Sequence, residues 1–264
     1  MAGIIHRKPG LILPGSPEWQ DPRLCDLFGG GMMAGAGPTC ELESAPAQRQ
    51  FFLRGTGGAT GTQPATDDMG NALTWAGVAY RYAPDFRWSN YNASVVFAAG
   101  SGVVNYVRTT SNVQMSSPQG HFSIGGWYKF VQSGSQAYNN IMGLGGGLSA
   151  GCPLLSIGPN LQLQQWGTAT PAVGITAAGN VPYNTWVYLG AGRNGLTGFC
   201  AVTINGSVVA SGTPTWSAIT AAPFYIFGNS TNTALDFNFL ANDVRFWSDP
   251  RYAGGFTAPS APPC

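Results

Sequence analysis

The sequence predicts an all-β protein: an antiparallel β-sandwich or jelly roll, preceded by an irregular N-terminal arm rich in proline and glycine. Glycine and proline, at 38 and 19 of 264 residues, are too frequent for a chain dominated by helices. The apolar residues come in short runs of β-branched and aromatic side chains, and glycine-rich turns separate these runs. No segment with a helical period lies between them, which is typical of sandwiches and jelly rolls.

Residues 1–70 are predicted to form an extended arm. Seven prolines and several glycine-rich runs interrupt this segment and exclude helices longer than two or three turns. The arm also contains large apolar residues, which disordered tails usually lack. We therefore expect it to pack on another subunit through six of them, Ile4, Ile5, Leu11, Ile12, Leu13 and Trp19. A sandwich at 71–252 and a tail at 253–264 complete the predicted organisation.

Short strands are predicted from residue 93 onwards. In chain order they are 93–98, 103–108, 121–131, 154–157, 161–166, 186–189, 199–204, 207–210, 224–227 and 244–247. Strand 121–131 alternates, so one face is expected to carry Phe122, Ile124, Tyr128 and Phe130. Its opposite face is expected to carry Trp127 and Lys129.

The strongest hairpin signal is the pair Asn205-Gly206, between strands 199–204 and 207–210. A type I′ turn needs positive φ angles at both central residues, and asparagine and glycine tolerate them best. The sequence therefore predicts a tight two-residue hairpin at this point.

Six segments follow an order and spacing found in one known family. They are VVF at 95–97, GVVNYVR at 102–108, HFSIGGWYKF at 121–130, NTWVYL at 184–189, VTINGSVVA at 202–210 and NDVRFW at 242–247. In this order they resemble the laminin-G-like branch of the concanavalin A-like lectin/glucanase superfamily, over about residues 90–250. The resemblance implies a laminin-G-like jelly roll. Such domains recur in bacteriophage tail, baseplate and capsid-decoration proteins.

Charged residues are few and unevenly placed. They make up 9% of the chain, with a net charge of +1, which removes the electrostatic argument for binding nucleic acid or a membrane surface. No apolar run approaches the ~18 residues that a membrane span needs. Residues 109–235 contain only Lys129 and Arg193 and no carboxylate. A surface without mixed charges suits a domain that neighbouring subunits cover.

Catalysis is not expected. Glycoside cleavage uses a positioned pair of carboxylates, and none lies between Asp85 and Asp236. The Gly-x-Ser-x-Gly motif of serine hydrolases is absent as well. The sequence therefore predicts no catalytic residues and a protein that is not an enzyme.

No cofactor is expected either, although the resemblance raises calcium, because many laminin-G-like modules bind it through aspartates and carbonyls. Asp243 matches the closing-strand aspartate of the family and is the single weak metal candidate. Leu240-Ala241-Asn242 stands where the family has its glycine and first acid. We therefore favour a structural Asp243 that accepts backbone hydrogen bonds at a strand start.

The five cysteines show no Cys-x-x-Cys spacing, and most are expected to be reduced and packed.

Sugar binding without a metal would use exposed aromatic side chains, because pyranose rings stack on Trp and Tyr. The carbohydrate-binding candidates are Tyr82, Trp88, Tyr91, Trp166 and Trp216. The alternative for each is a place in the core or in a subunit interface, where Trp and Tyr are equally favoured.

These patterns predict a non-enzymatic structural subunit of a virus-like assembly. We favour a phage tail or baseplate component whose lectin-like domain packs against other subunits and contacts a host glycan. The alternatives are a capsid decoration protein and a free carbohydrate-binding lectin. The start of the sequence carries no secretory signal, so the virion is the expected location, after assembly in the host cytoplasm. The expected partners are copies of the chain, other virion proteins and a host surface glycan, but neither nucleic acid nor a membrane.

Overall fold

The computed structural model describes residues 49–54, 63–77, 80–82, 85, 87–88, 94–97, 105–115, 120–130, 139–145, 152–157, 161–166, 175–176, 181–216, 221–229 and 239–252. All of them belong to one compact unit, Ala45–Ala258. The six residues predicted for the assembly arm, Ile4, Ile5, Leu11, Ile12, Leu13 and Trp19, lie outside the described residues. The same holds for the predicted tail at 253–264.

Two antiparallel sheets form the sandwich and confirm the predicted fold class. The eight-stranded sheet contains β1 (Arg49–Leu53), β3 (Tyr80–Tyr82), β4 (Ser94–Phe97), β6 (Phe122–Phe130), β11 (Val187–Arg193), β12 (Cys200–Ile204), β13 (Ser207–Gly212) and β15 (Phe239–Trp247). The seven-stranded sheet contains β2 (Leu73–Ala76), β5 (Asn105–Thr109), β7 (Asn139–Leu144), β8 (Cys152–Ile157), β9 (Leu161–Trp166), β10 (Ile175–Thr176) and β14 (Phe224–Asn229). The described part of the chain contains no helix that could cross a membrane.

The strand order places β15 at the centre of the eight-stranded sheet. The sheet runs β13-β12-β11-β6-β15-β4-β3, and the other sheet runs β10-β9-β8-β7-β14-β5-β2. One edge of β15 pairs with β6, whereas its other edge is shared between β4 near Phe239 and β1 near Trp247.

The sandwich includes a strand from the segment that the sequence assigns to the arm. β1 pairs with β15 in an antiparallel register in which Phe52 lies opposite Arg245. The described sandwich therefore starts at Arg49, earlier than the boundary predicted at residue 70. The prolines and glycines on both sides of this short strand hide it from a reading of local composition.

The core fills the space between the two sheets. β6 shows the predicted alternation, since Phe122, Ile124, Tyr128 and Phe130 all belong to the core. Trp127 lies on the opposite, outer face of the same sheet. Burying a large apolar side chain completely contributes about 1.5–3 kcal/mol, so these positions carry much of the stability of the sandwich.

The hairpin between β12 and β13 has the predicted turn. Asn205 and Gly206 have φ angles of 49° and 84°, and Ile204 pairs with Ser207. The Asn205 side chain also ties the turn to β11, because its Oδ1 accepts the Tyr188 N–H at 2.9 Å. Both positive φ angles that a type I′ turn requires are therefore present.

Two of the five cysteines, Cys152 and Cys200, are buried thiols of the core. Burial raises the pKa of Cys200 to about 12, and Arg193 lowers it only in part. Because the thiolate is the reactive form, we expect iodoacetamide at pH 8 to leave Cys200 unmodified in the folded protein. Mass spectrometry of labelled peptides, with protein unfolded in guanidinium as the positive control, measures this. Equal labelling of Cys200 in folded and unfolded protein would contradict the burial.

Candidate functional site

The structure describes the side chains of two of the five carbohydrate-binding candidates, Trp88 and Trp216. Tyr82 lies in β3 opposite Ser94, and Trp166 ends β9 opposite Cys152, but their side chains lie outside the described residues. Tyr91 lies outside them altogether. Sugar binding by these three residues stays a prediction.

Trp88 is buried, so the prediction that it is an exposed sugar-binding residue is wrong. Only 7% of it is exposed, and its Nε1 donates a hydrogen bond to Asp243 Oδ2 at 2.8 Å. Its ring packs edge-on against Trp127 at 5.6 Å. The Arg87 guanidinium lies 4.1 Å from both ring centres. The alternative, a place in a packed cluster, is the correct one for this residue.

Trp88 belongs to an aromatic cluster on the outer face of the eight-stranded sheet. The members of this outer aromatic cluster are Trp88, Trp127, Tyr188, Trp247 and Tyr252. The hydroxyls of Tyr188 and Tyr252 are hydrogen-bonded at 2.7 Å. Burial, together with the neighbouring Tyr188, raises the pKa of Tyr252 well above its usual range, so its phenol stays protonated. The cluster therefore acts as a second, smaller core that covers this sheet.

Gly125 of β6 lies beneath this cluster and makes room for it. A Cβ atom at this position would lie 2.7 Å from Tyr188 Oη and 2.8 Å from Tyr252 Cε2. The two phenols can thus approach the backbone of β6 directly.

Asp243 anchors the cluster from a bulge in β15. The pairing of β15 with β6 shifts between Asn242 and Arg245, and Asp243 at the shift has a φ angle of 49°. Its carboxylate is wholly buried, accepts the Trp88 indole N–H and lies 3.8 Å from Arg245 Nη2. Asp243 thus lies within a strand rather than at the predicted strand start, and it contacts the side chains of Trp88 and Arg245. That it accepts backbone hydrogen bonds stays a prediction.

The environment of Asp243 is unfavourable for calcium. Arg87 interacts electrostatically with its carboxylate, and Arg245 pairs with it. These positive charges would repel a divalent cation at the same oxygens. In the part of the chain that the structure describes, no group of three His, Cys, Asp or Glu residues could hold a metal ion.

Each of the five described carboxylates binds a structural partner. Asp67 accepts backbone hydrogen bonds from Phe52, Met69 and Asn71. The other four face cations: Asp68 with Arg54, Asp85 with Lys129, Asp243 with Arg245, and Asp249 with Arg251. Within the described residues, every carboxylate is thus engaged in holding the fold.

Trp216 is half-buried and remains a candidate for ligand contact. Its ring stacks on Phe122 at 5.6 Å with an angle of 13° between the planes. Arg193 lies 5.7 Å from the ring centre, and its Nη1 donates to the Gly120 carbonyl at 3.2 Å. One face of the indole therefore packs on the core, and a partly accessible aromatic surface remains beside a cation. That Trp216 binds a sugar stays a prediction.

A second surface, which the sequence did not single out, lies on the outer face of the seven-stranded sheet. Arg108 of β5 pairs with Thr74 of β2 on one side and with Tyr225 of β14 on the other. Its guanidinium lies 5.8 Å from the Tyr225 ring, and Tyr106 packs edge-on against that ring at 5.3 Å. These four half-buried residues are called the Arg108 face. The buried Val107 between Tyr106 and Arg108 fixes the face to which both point.

The match to a protein family decides the classification of the fold. A family model described as the concanavalin A-like lectin/glucanases superfamily matches residues 101–253, more than half of the chain. The chain belongs to this superfamily. The matched residues include β6, the β12–β13 hairpin and β15, which carry the resemblance seen in the sequence.

Solved structures that are similar to this chain include domains of botulinum neurotoxins. Botulinum neurotoxin type C, whose cell entry is described as dependent upon interaction with two ganglioside molecules, is 14% identical with a TM-score of 0.57. The match covers 77% of this chain and 48% of that one. The binding domain of botulinum neurotoxin DC, solved with rat synaptotagmin II, has the same identity and TM-score over 77% and 49%.

A third match is the binding domain of Paraclostridial Mosquitocidal Protein 1, at 10% identity and a TM-score of 0.52 over 77% of this chain and 49% of that one. The chain thus spans about half the length of the solved structures that it matches. At such identities the likeness establishes the lectin-like fold alone. A comparison with curated proteins gives no significant match.

Proposed function

We propose that this superfamily member is a non-enzymatic structural and binding subunit of a bacteriophage particle. In this proposal it is a tail or baseplate component of the virion, and its sandwich packs against copies of itself and other virion proteins. The observation that carries the proposal is the absence of any carboxylate from residues 109–235, a segment that includes β6 to β14. The part of the sandwich surface that this segment supplies has no negative charge, which suits permanent cover by other subunits.

The edge strand β13 supports the packing. Among the described strands it pairs with β12 alone, and it contains neither a charged residue nor a proline. Val208 on this strand is 43% exposed. Freely diffusing proteins usually protect such an edge with a lysine, a proline or a bulge that faces solvent. β13 has a bulge in its pairing with β12, opposite Val202 and Thr203, but neither of the other two devices. Its uncharged edge still favours a partner that extends the sheet.

Val208→Lys is therefore expected to weaken self-association or incorporation into particles, while the melting temperature stays unchanged. Sedimentation velocity of the purified chain and mass spectrometry of particles assembled with the variant measure the two effects. Leu196→Lys is the matched control, because Leu196 is 71% exposed and lies in the β11–β12 turn rather than on the edge. If the two variants behave alike, or if the wild-type chain is absent from particles, the assembly proposal fails.

The engagement of every described carboxylate supports a role without catalysis. Glycoside cleavage needs one carboxyl group that donates a proton and a second that attacks or activates water. Asp85 and Asp243, which bracket much of the sandwich in sequence, are held by Lys129 and by Arg245 with Trp88. Turnover of a polysaccharide by the purified chain would overturn this part of the proposal.

Contact with a host glycan is the binding half of the proposal. Support comes from the lectin-like fold and from half-buried aromatic residues beside arginines, at Trp216 and on the Arg108 face. A glycan array tests it directly with the wild-type chain. Specific binding by a chain that never enters particles would favour the alternative, a free lectin. Cryo-electron microscopy of particles separates a tail or baseplate position from the other alternative, a capsid decoration protein.

A further inference from the structure

Arg108 is a cation without an anionic partner among the residues that the structure describes. Other arginines of the sandwich face carboxylates, as Arg54 and Arg251 do. Among the described residues, the contact made by the Arg108 guanidinium is with the Tyr225 ring, and its Nε is buried without a hydrogen-bond partner. Buried polar groups normally have a partner, and a cation removed from water without one is costly.

The strands that form the Arg108 face supply no residue that could fill this role. Neither β2, β5 nor β14 contains an aspartate or glutamate. Towards β8 the outer face of the sheet is closed, because Leu154 and Ser156 are wholly buried. Among the described residues, the half-buried part of this face therefore lies over β2, β5 and β14 and includes Arg108.

The chemistry of the Arg108 face indicates the class of ligand. A planar guanidinium presents paired N–H donors that match a carboxylate better than any neutral acceptor. Tyr106 and Tyr225 lie beside the guanidinium, and sugars stack on aromatic side chains of this kind. Beside them, the hydroxyls of Thr74 and Thr110 lie 3.3 Å apart and can exchange hydrogen bonds with sugar hydroxyls.

We propose that the Arg108 face binds the carboxylate group of an acidic sugar in a glycan. This inference rests on the proposed glycan contact and specifies its chemical class. Arg108 would form the charge-assisted hydrogen bonds, and the two tyrosines would orient the sugar ring. Because none of the five described carboxylates competes for the guanidinium, selectivity for acidic over neutral glycans follows from the site itself.

The test is an array in which each carboxylated glycan is paired with its methyl ester, a neutral ligand of nearly the same shape. The wild-type chain is expected to bind at least one acid and to lose about tenfold in affinity for its ester. Arg108→Gln is expected to lose the same factor for the acid and to leave the affinity for the ester unchanged. Arg108→Lys keeps the positive charge but not the paired N–H donors of the guanidinium, so we expect an intermediate loss of affinity for the acid.

Arg54→Gln is the matched control, because it removes one positive charge from the other sheet. Thermal melts establish whether each variant is folded. If Arg108→Gln does not fold, Arg108→Lys is used in its place. Equal binding of acids and esters by the wild-type chain would refute the inference, and so would equal losses in Arg54→Gln and Arg108→Gln. If glycan binding persists unchanged in Arg108→Gln, the inference fails but the proposed glycan contact stands. If no glycan binds, both fail.

Discussion

Replacing Gly143 with alanine is expected to destabilise the protein by about 3 kcal/mol, at the upper end of the range for overpacked cores. Gly143 lies in β7 opposite Leu154 of β8. A Cβ atom at Gly143 would contact the carbonyl oxygen of Pro153 and would lie 2.9 Å from Leu154 Cα. These are backbone atoms that cannot rotate away, so β7 and β8 would have to separate. Urea denaturation measures the loss as a lower transition midpoint.

Gly198→Ala is the matched control for this substitution. A Cβ atom at Gly198 meets nothing within 4 Å, although the residue has a φ angle of 72°. Gly198→Ala is therefore expected to destabilise the protein only through backbone strain, by about 1–2 kcal/mol for a residue in the left-handed region. Equal destabilisation by the two substitutions would mean that the close approach of β7 and β8 does not limit the size of residue 143.

Asp243→Ala is expected to cost about 3–5 kcal/mol, the usual loss when one member of a buried ion pair is removed. The substitution removes the acceptor of the Trp88 indole N–H and breaks the ion pair with Arg245. It also places alanine at a φ angle of 49°, which asparagine and aspartate tolerate better. Denaturant unfolding followed by tryptophan fluorescence measures the loss and reports on the outer aromatic cluster as well.

Two further variants separate the contributions at Asp243. Asp243→Asn keeps an acceptor for Trp88 and suits the backbone angle, so we expect a smaller loss, caused by the missing charge. Asp68→Ala breaks a partly exposed ion pair with Arg54 and should cost at most about 1 kcal/mol. If Asp243→Ala were as mild as Asp68→Ala, the carboxylate would not anchor the cluster.

The local sequence pattern was sufficient to predict those strands that alternate strongly and the hairpin that has a strong turn signal. β6 and the β12–β13 hairpin fall where the sequence predicts them, with the predicted alternation and the predicted positive φ angles. β7 was not predicted, because Asn139-Asn-Ile-Met-Gly-Leu144 has neither alternation nor a β-branched run. Contacts with β8 and β14 on both sides make it a strand. β1 was missed for a related reason, since its partner β15 is distant in the chain.

For the candidate site, too, local sequence was sufficient for some features, whereas others depend on contacts between distant parts of the chain. Composition alone shows that residues 109–235 lack a carboxylate, so the argument against a glycosidase needs no coordinates. Trp88 could not be placed in this way, because the sequence Arg87-Trp88-Ser-Asn has the character of an exposed loop. Its burial depends on Asp243, which is 155 positions away in the chain. The Arg108 face was missed because its residues come from three strands that only the pairing of β2, β5 and β14 brings together.

The central position of β15 has a consequence for the timing of folding during synthesis. β1, β4 and β6 all pair with this strand, yet they precede it in the chain, so they must wait until it emerges from the ribosome. Until then the eight-stranded sheet exists only as separate groups of strands with exposed edges. Such unpaired edges make nascent chains prone to aggregation. Among the described strands, the last in the chain is the one that joins β1, β4 and β6 into one sheet.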